Sequence, residues 1–143
     1  MLPNRLFVDA NILVTVLCHE YPRFGACARV LSLADDPRFE VWTSPLALAI
    51  GAYFSGKKSG RKKAREKVAL LATKLHITNM DQEAVRKALA DPKATDLEDG
   101  MQYYAALHAR CVHIITYDRK DFGFSKLPVQ APEDFLLEHL LAG

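Results

Sequence analysis

Cysteine is scarce in this chain: of 143 residues only Cys18, Cys27 and Cys111 are cysteines, and no C-x-x-C spacing occurs. An odd count without that spacing argues against a disulfide framework and reads as reduced, mostly buried thiols in a reducing compartment. Long apolar runs are also missing, so no segment is expected to cross a bilayer. Met1 to Arg5 leads into a short apolar run that an aspartate interrupts, so no secretory leader is expected. We therefore expect a cytoplasmic protein without membrane contact. Charge of one sign is nearly balanced out at a net +2, which makes total charge a poor guide to partners. The histidines, His19, His76, His108, His113 and His139, have no metal-ligand spacing, and His113, alternating within a strand, reads as structural.

Half of the residues are apolar, enough to build a core without staples. The length suits one domain spanning residues 1–143. Apolar, β-rich runs at Leu6–Val8, Phe39–Thr43 and Val112–Thr116 predict strands, with weaker candidates at His76–Thr78 and Val129–Gln130. Helical patterns fill Ala10–Cys18, Phe24–Leu33, Ala64–Leu75, Asp81–Leu89 and Pro132–Leu141. Ser44-Pro45 fits an N-cap followed by proline at the first helical position, opening a helix to about Phe54, and Ser55–Lys63 reads as a loop or frayed helix start. Thr95-Asp96-Leu97-Glu98 matches a capping box, which opens a helix reaching about Arg110. Strands alternating with helices over short connections predict a three-layer α/β/α sandwich around a central, mostly parallel sheet.

In such sheets ligands bind beyond the carboxyl ends of the strands. Asp9 directly follows the first strand. Asp118 and Asp121 follow VHIIT by two and five residues. Asp96 and Asp99, three apart in the first helical turn, share one face. Each acid has a plain structural use: Asp9 as a helix cap, Glu98 as the second half of a capping box with Thr95, Asp96 and Asp99 at a positive helix N-terminus, Asp118 and Asp121 in turns. Those uses do not explain the joint placement. Carboxylates converging on one sheet edge repel unless a cation or protons neutralise them, and hard cations such as Mg²⁺ or Mn²⁺ prefer oxygen ligands. From Lys57 to Lys67 stand seven basic residues and one acid, a surface suited to phosphate, with Lys57, Lys58, Arg61, Lys62 and Lys63 as candidate RNA-binding residues. Little aromatic residue interleaves with them, so contacts there would be to phosphate and would read no sequence.

FVDANILV, DLEDGMQYYAAL, IITYDRKDF and LPVQAPEDFL, in that order across nearly the whole chain, resemble the PIN domain family, metal-dependent ribonucleases that include the VapC toxins of toxin–antitoxin pairs. The helix start is most similar to a branch with a D-x-E-D-A-x-Q-Y pattern. The resemblance implies that Asp9, Asp99 and Asp118 are catalytic and hold Mg²⁺ or Mn²⁺, with Asp96 as an additional metal-binding acid. It also implies that Asn11 and Thr116 orient ligands or water, and Glu98 and Asp121 stand as further supporting positions. RNA, an antitoxin protein and a second copy of the chain are the implied partners. One departure stands out. Many members carry a glutamate about six residues past the serine of the helix after the second strand; here the serine is Ser44 and the position is Ile50.

The expected function is metal-dependent endoribonucleolytic hydrolysis of RNA phosphodiester bonds, as the toxin of a toxin–antitoxin pair. The alternative is a catalytically weak PIN-fold module that binds RNA or protein, which Ile50 favours. A haloacid-dehalogenase-like phosphatase would need a second aspartate where Asn11 stands, and a response-regulator receiver would need an acidic pair and a mid-chain phosphoacceptor that are not visible.

Overall fold

The structure, a computed structural model, describes residues 2–140. Strand β1, Asn4–Val8, carries Leu6, Phe7 and Val8 in succession, all fully buried, as a central strand covered on both faces requires. Because side chains alternate along a strand, Leu6 and Val8 point to one layer and Phe7 to the other. The first layer gathers Ile12, Leu13, Val30, Val41, Ala47 and Phe135 around Leu6 and Val8. The second gathers Tyr103, Ala106, Ile114 and Phe122 around Phe7. Two cores on opposite faces of one sheet make the three-layer sandwich that the strand–helix alternation predicts.

The remaining strands are β2 (Phe39–Thr43), β3 (His76–Ile77), β4 (His113–Ile115) and β5 (Val129–Gln130). They pair in the order β3-β2-β1-β4-β5, and every pairing is parallel. The chain runs outward from β1 through β2 to β3, then returns to the other side of β1 for β4. This reversal between β1 and β4 opens a crevice at their carboxyl ends, the place where such sheets take ligands.

The helices are α1 (Ala10–Leu17), α2 (Phe24–Ser32), α3 (Pro45–Ser59), α4 (Arg61–Lys74), α5 (Gln82–Ala90), α6 (Leu97–His108) and α7 (Pro132–Leu140), with a 3₁₀ turn at Leu33–Asp35. Ser44 caps α3 by accepting from the Ala47 N–H at 3.0 Å, with Pro45 at the first position, as its sequence predicts. Asp81 caps α5 in the same way. Leu141, the last residue of the expected final helix, lies outside the described residues.

Two expectations are corrected. The stretch expected as loop is helical, with α3 running through Lys57 and Lys58 to Ser59 and α4 starting at Arg61. The break is one residue, Gly60, whose φ of 91° lies in the left-handed region that favours glycine. The small residues upstream serve packing rather than flexibility: Ser55 is fully buried, and a Cβ on Gly51 would stand 2.9 Å from Leu17 Cδ1. The capping of α6 is also shifted by one residue. Asp96, not Thr95, is the N-cap, and its carboxylate accepts from the Asp99 N–H at 3.0 Å. Ala94 is buried close to Gly100, where α5 and α6 approach so tightly that a Cβ would stand 3.0 Å from Ala88 Cβ. That contact, invisible locally, accompanies the helix start at Asp96. Cys18, Cys27 and Cys111 are free and buried, as expected. His113 packs its ring against Phe135 and His139 in the first layer.

Candidate functional site

Asp9 directly follows β1 and is the N-cap of α1. Its carboxylate caps α1 through the Ala10 N–H at 2.7 Å, so the plain structural use is real. It is far from the whole story. The same Oδ1 accepts from Gln102 Nε2 at 3.0 Å, while Oδ2 accepts from Thr116 Oγ1 at 2.8 Å and Asn11 Nδ2 at 3.2 Å. These donors hold Asp9 in one orientation, the longest contact coming from an Asn11 amide whose two hydrogens are shared among three acceptors.

Asn11, one helical turn's start beyond Asp9, clasps the two strand ends together. Its amide also donates to Thr116 Oγ1 and to Asp118 Oδ2, each at 3.0 Å, and its Oδ1 accepts from the Tyr117 N–H at 3.4 Å. Thr116 in turn accepts from the Asp118 N–H at 3.0 Å. The sheet's parallel register produces this: Val8 pairs with Ile115, so the residues that follow each strand emerge side by side. Asn11 and Thr116, expected to orient the site, do make the bonds that join Asp9 to Asp118.

From the opposite side, α6 brings Asp99 and Glu98. Asp9, Asn11, Glu98, Asp99 and Asp118 line a single cleft of about 320 Å³, together with Glu20 and Arg23 from the α1–α2 connection and Ile50 and Phe54 from α3. Asp96 is not in this lining; its carboxylate faces the α6 amides as their cap. Asp121 stands beyond Asp118 in a neighbouring depression, with Arg119 and Lys120.

The electrostatics of the cleft are strained in one direction. Burial, then the charges of Asp9, Asp96, Asp121 and Glu98, push the Asp99 carboxyl up to about 7. Burial followed by Asp96, Asp9 and Asp118 raises Glu98. Burial raises Asp9 as well, against the lowering effect of Thr116, the Ala10 amide and Gln102, with Asp118 adding to the rise. Each of these acids holds its proton more tightly than it would in water, because its charged form meets other anions and, for Asp9 and Asp99, a partly or fully dry environment. The donor set is all oxygen, which suits a hard divalent cation. Among the described residues no three His, Cys, Asp or Glu side chains close into a ready-made cage. Mg²⁺ does not demand one: it keeps several waters and binds through one or two carboxylates plus a substrate phosphate. Asp9, Asp99 and Asp118 line the cleft, and one or two of them would hold such an ion.

The lysine-rich candidates lie elsewhere. Lys58 Nζ donates to the Cys18 carbonyl, and Lys67 Nζ to the Leu17 carbonyl at 3.3 Å, so both neutralise the C-terminal end of α1. Lys57 sits 4.9 Å over the Tyr53 ring and, with Arg61, lines a shallow groove along α3 and α4. Lys62 and Lys63 are exposed. None of the five lines the acidic cleft. They connect to it along α3, where Ile50, Phe54 and Lys57 follow one another at helical spacing.

Several participants escape the sequence reading. Gln102 is fully buried, and its Oε1 accepts from the Ser44 hydroxyl at 3.4 Å. Its signal was available: it lies three residues after Asp99, on the same helix face. Glu20, Arg23 and Phe54 gave no comparable signal. Tyr117 is anchored through its hydroxyl to Glu133 and stacks under the Arg23 guanidinium, 4.0 Å from the ring centroid.

The family model for the PIN domain matches residues 5–120 of the chain. No curated protein sequence matches it. Among solved structures, VapC20 from Mycobacterium tuberculosis, described as a Sarcin-Ricin loop cleaving toxin, is 17% identical, with a TM-score of 0.66 over 85% of this chain and 95% of that one. VapBC2 from Rickettsia felis, bound to a DNA fragment from its promoter, is 16% identical, with a TM-score of 0.64 over 89% and 98%. A toxin–antitoxin complex from Klebsiella pneumoniae is 20% identical, with a TM-score of 0.65 over 89% and 97%. At such identities these structures establish a shared fold.

Proposed function

The chain belongs to the PIN domain family, and on that premise we propose that it is a metal-dependent endoribonuclease, the toxin of a toxin–antitoxin pair, that hydrolyses RNA phosphodiester bonds in the cleft between β1 and β4. The observation that carries this reading is the convergence of Asp9, Glu98, Asp99 and Asp118 on one cleft at the carboxyl ends of β1 and β4. Such a cluster is relieved by a cation, which can also stabilise charge on a phosphodiester.

Asp9, Asp99 and Asp118 would hold Mg²⁺ or Mn²⁺. A divalent ion there supplies charge stabilisation to the phosphate and lowers the pKa of a bound water. Asn11 and Thr116 keep Asp9 and Asp118 at fixed separation, so the carboxylates do not swing apart under mutual repulsion. Gln102 holds Asp9 from the interior side and fixes its rotamer. Asp99 or Asp118 would help to polarise the attacking water. The exposed Lys62 and Lys63, with Lys57 and Arg61, would hold RNA phosphates beyond the cleft.

A second reading, a PIN-fold module that binds RNA or protein and cuts weakly, is favoured by one observation: Ile50 lines the cleft where it adds neither charge nor an oxygen ligand. The toxin–antitoxin character of the R. felis and K. pneumoniae relatives favours an antitoxin partner for this chain.

The test is incubation of a mixed RNA pool with Mg²⁺, Mn²⁺ or EDTA, beside Asp9→Asn. Cleavage that needs the ion and disappears in Asp9→Asn supports the proposal. RNA binding without cleavage under every ion supports the module instead.

A further inference from the structure

Five buried side-chain nitrogen or oxygen atoms lack a hydrogen-bond partner among the described residues, and three of them belong to one cluster: His113 Nδ1 on β4, Gln130 Oε1 on β5 and His139 Nε2 on α7. A buried polar atom is costly to leave unpaired, so such atoms call for a water or an ion. The sheet register brings these three together. Leu6 pairs with His113 and Ile115 with Gln130, so both side chains stand on the face that α7 covers with Phe135. The rings of His113 and His139 meet there, with centroids 4.9 Å apart and planes at 80°. Phe135 stacks on His139 at 4.4 Å and meets His113 edge-on at 5.4 Å, so both imidazoles are held in place. Glu138 ties in the third group: its Oε2 accepts from Gln130 Nε2 at 2.6 Å, and its Oε1 stands 3.8 Å from His139 Nε2.

None of these four residues lines the acidic cleft. His113 opens β4 at its amino end, whereas the cleft lies beyond the carboxyl ends of the strands. The donors differ as well. Two imidazole nitrogens and an amide oxygen suit a borderline ion such as Zn²⁺ or Cu²⁺, not the hard ions that an all-oxygen cleft takes. Two imidazoles on one Zn²⁺, each with a Zn–N distance of about 2.0–2.1 Å, place their ring centres about 5 Å apart, which the observed separation matches. Burial and then His139 lower the pKa of His113 against the charge of Glu138, so its imidazole is neutral and has a lone pair to give. Among the described residues no three His, Cys, Asp or Glu side chains converge on a metal position. The third place therefore falls to the Gln130 oxygen and the rest to water, while Glu138 orients the Gln130 amide and adds negative charge nearby.

We propose that His113, His139 and Gln130 form a second metal site, for one borderline transition ion, which fastens the last turn of α7 to the edge of the sheet. β5 is an outer strand and α7 follows it directly, so an ion shared by β4, β5 and α7 ties the chain's final segment to a strand beside β1. An ion that binds only the folded chain stabilises it in proportion to its own concentration. The sequence hides the site because the two histidines lie far apart, and only the return of α7 over β4 brings them into contact. The site is independent of the nuclease reading, since it shares no residue with the cleft.

The experiment titrates the untagged chain near neutral pH, with Zn²⁺ by calorimetry and with Cu²⁺ by electron paramagnetic resonance, both in excess Mg²⁺. Wild type and Asp9→Asn should bind one Zn²⁺ alike, and the Cu²⁺ spectrum should carry superhyperfine splitting from two nitrogens. His139→Phe keeps a ring stacked on Phe135 and removes the nitrogen. It should weaken Zn²⁺ binding by about tenfold or more, reduce the splitting to one nitrogen and abolish the rise in Tm that Zn²⁺ gives the wild type. His113→Phe should do the same. If that variant does not fold, His139→Phe decides alone, because its side chain lies in the last turn of α7 and is partly exposed. Zn²⁺ binding and a two-nitrogen spectrum unchanged in His139→Phe would overturn the site and assign the ion to the exposed His19, His76 or His108. Zn²⁺ binding lost in Asp9→Asn but kept in His139→Phe would overturn it in favour of the acidic cleft. Wild-type protein that binds neither ion would overturn it too and leave the three unpaired atoms to water.

Discussion

Gln102 Nε2 donates to Asp9 Oδ1 at 3.0 Å inside the protein, and through this bond the interior of α6 reaches the end of β1. The same side chain accepts from Ser44 at the start of α3, so one buried amide joins the three elements that surround the cleft. An amide suits this place because it offers a donor to the carboxylate and an acceptor to the hydroxyl at once.

Replacing Gln102 by Leu should therefore lower stability by about 1–3 kcal/mol, the usual cost of leaving a buried polar group unpaired. Asp9 loses one of the bonds that favour its charged form, so its proton affinity climbs further and Mn²⁺ binding weakens. Denaturant unfolding and titration calorimetry check the two effects. Stability and metal affinity both at wild-type values would contradict the bond.

Ile50→Glu should strengthen Mn²⁺ binding, even at some cost in stability, because position 50 lines the cleft with Asp9, Asp99 and Asp118. Wild-type protein should bind metal weakly and cut slowly, with Mn²⁺ outperforming Mg²⁺, whose geometric demands are stricter. Calorimetry on both proteins decides. Weaker or unchanged binding in a folded Ile50→Glu protein would show that the side chain does not serve the ion.

The basic segment should divide by function. Lys58→Ala should destabilise by roughly 0.3–1 kcal/mol, because Lys58 meets the C-terminal carbonyls of α1. Lys62→Ala combined with Lys63→Ala should leave stability alone and flatten the salt dependence of RNA binding by about 1.4. Thermal melts and anisotropy separate the two. A salt slope untouched by the double substitution would reduce these lysines to a solvated face.

The contribution of Asp99 to stability in EDTA should fall as pH climbs from 3.8, the ordinary value for an aspartate, to about 7, so the stability of the wild type relative to Asp99→Asn should fall across this window. A group whose pKa is raised by folding binds its proton more tightly in the folded state, so its contribution is largest at low pH and disappears through the folded pKa. Asp99→Asn should flatten this window, and Mn²⁺ should stabilise the wild type most at its upper end, where Asp99 is charged. Tm of both proteins from pH 4 to pH 8 in EDTA and in Mn²⁺ is the check, and a difference between wild type and Asp99→Asn in EDTA that stays constant or grows in favour of the wild type across the window would refute it.

The sequence by itself determined the elements whose signals are local. The Ser44-Pro45 and Asp81 caps, the short apolar strands, and an aspartate placed right after β1 need nothing beyond their neighbours, because capping and side-chain alternation act within a few residues. The resemblance of its acidic segments to the PIN domain pointed to the same edge of the sheet. Only the tertiary structure decided the rest. Strand order puts β1 beside β4, and that alone lets Asn11 bond both Asp9 and Asp118. Thr95 and Asp96 are both competent caps, and the close α5–α6 contact at Gly100 accompanies the choice of Asp96. Ser55 and Gly56 read as loop or frayed helix start until Ser55 is seen buried and α4 set against Gly56, and Lys58 reads as free until the Cys18 carbonyl at the end of α1 accepts from it. Arg23 and Phe54 share the cleft only because α1, α2 and α3 meet there. Propensity is a property of a few consecutive residues, whereas burial, pairing and proton affinity are set by whatever the fold brings near.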